Sequence, residues 1–167
     1  MKKNLITILV HNKPGVLSHV AGLVTRRGYN VESIAAGPTE DYSVTRITLV
    51  VTGDTATVEQ VVKQFQKLID VISVEILDYE NALTGELAII TLKAGSGRRN
   101  RIVNMASLMG FKLIDVLADR VTVQVAGSAR DVDTAVAALA PFTIIAMART
   151  GLVALPRQGG GSPEQVL

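Results

Sequence analysis

Apolar residues along this chain recur with two alternating periods, one near two residues and one near 3.6. Residues 5–10, Leu-Ile-Thr-Ile-Leu-Val, are β-branched and apolar and predict a buried strand. Asn12-Lys13-Pro14-Gly15 breaks that run. From Gly15 to Arg27, Val16, Leu17, Val20, Leu23 and Val24 fall at helical spacing, and Gly28 ends the helix. Asn30 to Ala36 predicts a second strand, Gly37 to Asp41 a turn, and the alternating Val44 to Thr52 a third strand. A helix starting at Gly53-Asp54-Thr55 carries Val58, Val61, Val62, Phe65, Leu68 and Ile69, and Val71 to Leu77 is a fourth strand. The order is β-α-β-β-α-β.

The same order then repeats. Glu86 to Leu92 reads as a strand, Arg98 to Met109 as a helix stopped by Gly110, and Lys112 to Leu117 and Arg120 to Ala126 as strands. Arg130 to Leu139 is a helix and Thr143 to Ala148 a last strand. Gly28-Tyr29-Asn30-Val31-Glu32-Ser33-Ile34 aligns with Gly110-Phe111-Lys112-Leu113-Ile114-Asp115-Val116. The expected class is α+β, as two ferredoxin-like βαββαβ domains. Residues 1–78 form the first, 79–85 a linker and 86–156 the second, and the Gly-rich 157–167 predicts a disordered tail. Each half is about 80 residues, buries a modest core and leaves open sheet edges, which favours a dimer or docking on a larger partner.

Composition narrows the chemistry. The 167 residues include no Cys and two His, His11 and His19. A disulfide framework, a thiolate metal site and a Cys nucleophile are excluded, and the two His do not have metal-ligand spacing on one face. No metal site and no catalytic residue is expected. The net charge is +2, too small for a concentrated basic surface, and the strands 5–10 and 44–51 hold no aromatic residue on which a base could stack. No nucleic-acid partner is expected. The N-terminus lacks a small-residue cleavage site, and the longest apolar stretch, about residues 135–148, is too short to span a bilayer. A cytoplasmic protein without a membrane partner is the default reading.

Two turns could hold an anion. Gly95-Ser96-Gly97-Arg98-Arg99 lies between a strand and a helix but completes neither a Walker loop nor G-x-G-x-x-G, and it reads as a solvated basic turn. Asn12-Lys13-Pro14-Gly15-Val16-Leu17 is the stronger signal. Gly15 permits close backbone approach, and the helix start behind it offers N–H groups and partial positive charge to a carboxylate. Asn12 can both donate and accept, which suits the two ends of an amino acid. The second repeat has no Asn-x-Pro-Gly.

The run Asn12 to Leu17, with Arg26 to Ile34, Gly37-Pro38-Thr39, Thr45 to Thr48, Gln64 to Val71 and Ala148 to Arg157, resembles the small regulatory subunits of acetohydroxyacid synthase (acetolactate synthase). The resemblance implies an N-terminal ACT domain and a C-terminal ACT-like domain. It implies a non-catalytic chain that binds and activates a catalytic large subunit and confers feedback inhibition by valine or another branched-chain amino acid. Thiamine diphosphate, Mg²⁺ and FAD would belong to that large subunit, and no cofactor to this chain. Effector sites of the family lie between the ACT domains of a homodimer. Matched by motif, one chain would supply Asn12, Gly15, Val16 and Leu17, and its partner Asn30 and Val31. The alternative is a stand-alone amino-acid-sensing ACT protein that regulates another enzyme or transcription.

Overall fold

The computed structural model describes residues 3–95 and 97–157. Ser96 and the predicted tail beyond Arg157 lie outside the described residues. By their contacts these residues form two compact units: everything up to Thr84 together with the stretch from Leu152, and Gly85–Gly151.

Unit one runs β1 (Lys3–His11), α1 (Val16–Arg27), β2 (Asn30–Pro38), β3 (Val44–Thr52), α2 (Thr55–Phe65) and β4 (Val71–Leu77). Its sheet is antiparallel with strand order β2-β3-β1-β4. The period-two alternation places Ile6, Ile8 and Val10 opposite Leu49, Ile47 and Thr45, so Ile6, Ile8, Ile47, Leu49 and Val51 share one face. Onto that face the helices deliver Val16, Val20, Leu23, Val58, Val61 and Phe65, and these residues form one core. Burying each such side chain contributes about 1.5–3 kcal/mol, which is why isolated short helices become stable here.

Unit two repeats the path with β5 (Ala82–Lys93, whose first three residues belong to unit one), α3 (Arg98–Leu108), β6 (Lys112–Val116), β7 (Arg120–Gly127), α4 (Ala129–Leu139) and β8 (Ile144–Arg149). The order β6-β7-β5-β8 reproduces that of the first sheet. Ala88, Ile90, Leu92, Ile102, Ala106, Val121, Val123, Val132 and Leu139 form its core. Edge strand β8 is tied back by Arg149, which donates two hydrogen bonds to Glu86 over 2.7 and 2.9 Å and one to Asp133 over 2.9 Å. Glu86 is buried, and its carboxylate holds the guanidinium charged well beyond its ordinary range.

Local irregularities repeat as well. The ladder slips between Val31 and Ser33 in β2 and between Leu113 and Asp115 in β6. Gly15 and Gly97 precede α1 and α3 with φ of 87° and 85°. At such angles a Cβ meets its own backbone, so glycine suits both places.

Several elements differ from the sequence reading. Helix α2 ends at Phe65, so Leu68 and Ile69 lie in the turn that follows; Leu68 reaches back to the core and Ile69 is 94% exposed. The strand β5 begins at Ala82, inside the segment read as linker, and an unpredicted short strand, β9 (Val153–Pro156), pairs with it. Arg157 N–H continues that pairing to the Asn81 carbonyl over 3.2 Å. Four residues ending in proline give too little alternation to signal a strand; the distant partner makes it one. Pro38, read as part of a turn, extends β2, an edge strand on which a missing N–H costs no ladder bond.

Candidate effector site

The turn from β1 to α1 is built from both sides. Asn12 N–H donates to the Ser43 carbonyl over 2.7 Å, and the Asn12 side-chain amide donates to the Tyr42 carbonyl over 2.9 Å. These bonds commit the amide nitrogen to the β2–β3 turn and leave Oδ1 to accept from a ligand ammonium. Lys13 N–H bonds the His11 carbonyl over 2.9 Å, which tightens the turn ahead of Pro14.

Gly15 caps α1 without a side-chain hydrogen bond, and the first turn of the helix contains no acidic residue. His19 N–H reaches the Gly15 carbonyl over 3.1 Å, whereas the N–H groups of Leu17 and Ser18 meet no acceptor among the described residues. Two donors at the positive end of the helix are therefore without a protein acceptor in the turn that Asn12 begins, an arrangement suited to a carboxylate. Lys13 Nζ and His19 Nδ1 each lie 3.8 Å from the Asp70 carboxylate, which offsets cationic charge around the turn.

The predicted apolar residues divide by environment. Val16 is buried in the core of unit one, so only its backbone reaches the turn. Leu17 is 53% exposed and is available to cover an apolar ligand group. Val31 is half-buried against the core.

Asn30 and Val31 stand at the other end of the same sheet. Asn30 pairs with Thr52, and Thr52 with Lys3, whereas the turn follows His11. Eight residues of β1 separate the two ends, about 26 Å at the rise of a strand. One chain does not bring the two halves of the predicted site together. Two shallow clefts of about 320 and 290 Å³ are lined by residues of α2 and by residues around Gly110, and neither contains a predicted effector residue.

Sequence spacing did not reveal the supports of the turn. Tyr42, Ser43 and Asp70 are distant in sequence from Asn12, and they enter through backbone carbonyls or a lone carboxylate. Among the described residues no cluster of His, Cys, Asp or Glu is arranged to hold a metal ion, and no helix is long and apolar enough to cross a membrane.

A βαββαβ unit with an Asn-x-Pro-Gly turn after its first strand, followed by a second unit of the same order, defines a two-part ACT-type regulatory chain. Comparison with known proteins agrees. Residues 6–73 match the AHAS small subunit-like ACT domain, and residues 85–158 match the small subunit of acetolactate synthase. The chain is 40% identical over 155 residues to a probable acetolactate synthase small subunit of Archaeoglobus fulgidus, covering 93% of this chain and 97% of that one. It is 38% identical over 156 residues to the acetolactate synthase small subunit of Mycobacterium bovis, covering 93% of each. The crystal structure of the acetolactate synthase small subunit from Thermotoga maritima superposes with a TM-score of 0.88 at 33% identity, covering 96% of this chain and all of that one. The chain belongs to the family of acetolactate synthase small subunits, which are regulatory and non-catalytic.

Proposed function

We propose that this chain binds the catalytic large subunit of acetolactate synthase in the cytoplasm, raises its activity and makes it subject to feedback inhibition by valine. Thiamine diphosphate, Mg²⁺ and FAD act on the large subunit, and this chain carries none of them. The observation that carries the reading is the Leu17 and Ser18 N–H pair, without an acceptor among the described residues, in the turn that Asn12 begins, with Asn30 at the far end of the same sheet.

Two chains meeting through their ACT domains would set the turn of one against the start of β2 of the other. The helix start would take the effector carboxylate, Asn12 Oδ1 the ammonium, and Asn30 the remaining polar contact. Leu17 and Val31 would enclose the branched side chain. Two extra methyl-sized groups contribute about 1.6 kcal/mol, so valine should exceed alanine by roughly tenfold. Regulation follows by differential binding: valine favours one arrangement of the ACT pair, and that arrangement holds the catalytic subunit less active.

Calorimetric titration of the full chain with L-valine tests the sensing step. Saturable heat is expected, weakened about tenfold or more in Asn30→Ala. No heat at millimolar valine, or an Asn30→Ala protein that binds as the native one does, overturns the reading.

A further inference from the structure

The residue row that carries Asn30 is tied together by a carboxylate. The register of β2 slips between Val31 and Ser33, so Glu32 is the bulged residue, set two positions from Asn30. A bulge frees one side chain from the ladder and re-aims it. Here the Thr52 hydroxyl donates to Glu32 Oε1 over 2.9 Å, and Lys3 Nζ lies 2.6 Å from Oε2. Thr52 is the residue paired with Asn30, and Lys3 is paired with Thr52. One side chain thus joins β2, β3 and β1 along the row at which β2 begins. The ammonium and the hydroxyl together hold the Glu32 carboxyl below the usual carboxylate range, so it is ionised at neutral pH.

Unit two shows that the fold does not require this carboxylate. The same slip occurs between Leu113 and Asp115, and Ile114 takes the place of Glu32. Lys112 stands there in place of Asn30. The bulge therefore forms without an acid, and the acid occurs in the unit that also carries the two asparagines. Exposed ion pairs contribute little to stability in any case, so the consequence of this one is local order.

We infer that Glu32 is a positioning residue for the amino-acid effector: with Thr52 and Lys3 it fixes the start of β2 so that Asn30 and Val31 meet the ligand in one orientation. This rests on the effector reading above. Glu32 does not touch the ligand and acts through Asn30.

The test is titration of the full chain with L-valine, alongside thermal melting of each variant. Glu32→Ala is expected to weaken binding about fivefold, the scale of one net hydrogen bond. Glu32→Gln keeps an acceptor for Thr52 and is expected to lose less. Thr52→Val removes the hydroxyl in a β-branched frame and should weaken binding, and Thr52→Ser should restore it. Because the two act as a unit, Glu32→Ala combined with Thr52→Val should bind no worse than Glu32→Ala alone. Melting should change little throughout. Native-like binding by Glu32→Ala while Asn30→Ala is impaired overturns the positioning role alone. A loss that tracks the melting temperature, with no rescue by Thr52→Ser, overturns it too. Native protein that fails to bind valine removes the effector reading and this inference together.

Discussion

At the end of β1, Asn12 N–H donates to the Ser43 carbonyl over 2.7 Å and His11 N–H to the Asp70 carbonyl over 2.9 Å. At the end of β5, Ala94 N–H donates to the Asp119 carbonyl over 2.7 Å and Lys93 N–H to the Thr143 carbonyl over 2.8 Å. Both turns end on a left-handed glycine that immediately precedes a helix. Their side chains differ: Ala94 replaces Asn12, Lys112 replaces Asn30, and Ile114 replaces Glu32. A left-handed glycine before the helix is therefore common to both units, and the side chains proposed above to recognise an amino acid occur in unit one. Unit two puts its polar side chains to a structural use, the Glu86–Arg149–Asp133 network.

That contrast can be broken in four ways, beginning with the largest effect. Arg149→Ala leaves the buried Glu86 carboxylate without its partner and should destabilise unit two by about 3 kcal/mol. Hydrogen exchange should then speed up at β5 and β8 amides and stay unchanged at β1 and β3; equal acceleration in both sheets would refute the separation. Second comes the asparagine pair. Lys112→Ala, the matching change to Asn30→Ala, should leave valine affinity unaltered, because the proposed effector site lies in unit one, and parallel titrations decide it.

Third, Gly15→Ala and Gly97→Ala each force a Cβ into left-handed backbone and should each cost about 1 kcal/mol of stability. Only Gly15→Ala should also weaken valine binding. Equal effects of both on valine binding would place an effector contact in unit two. The smallest effect concerns helix caps. The Asp54 carboxylate accepts from Thr57 N–H and Asp131 from Ser128, and these bonds lower both carboxyl groups below their ordinary range. A lowered folded pKa contributes stability above the unfolded value, near 4, that is lost as pH falls through the folded one. Melting temperature should therefore be flat above about pH 5 and decline below about pH 4. In Asp54→Asn, which still caps, the decline should be shallower for unit one.

Legibility along the chain follows the range of the interaction responsible. Helices α1 and α4 were readable because their apolar periodicity is local and Gly28 closes the first, whereas the Ser128–Asp131 capping box that opens α4 one residue earlier than read, at Ala129, came from the structure. The internal repeat was readable because its marker, an aromatic residue after glycine and then a strand, is contiguous in sequence. The strand β9 and the first residues of β5 were not, since each is a strand through pairing with a distant segment. Leu68 and Ile69 kept helical spacing but left the helix, because the chain must turn there to deliver Val71 beside Val10.

The candidate site divides in the same way. Asn12, Gly15, Leu17 and Asn30 could be named from a motif and a resemblance. Sequence by itself determined the repeated βαββαβ order, the absence of cysteine chemistry and the unit that carries the asparagines, since all of these rest on residue identity and local period. Tertiary structure alone decided that the Asn12 amide is committed to Tyr42, that Val16 belongs to the core, and that Glu32 bridges three strands. It also set the turn and Asn30 at opposite ends of one sheet. Strand register and hydrogen-bond direction depend on residues far apart in the chain, and no local pattern encodes them.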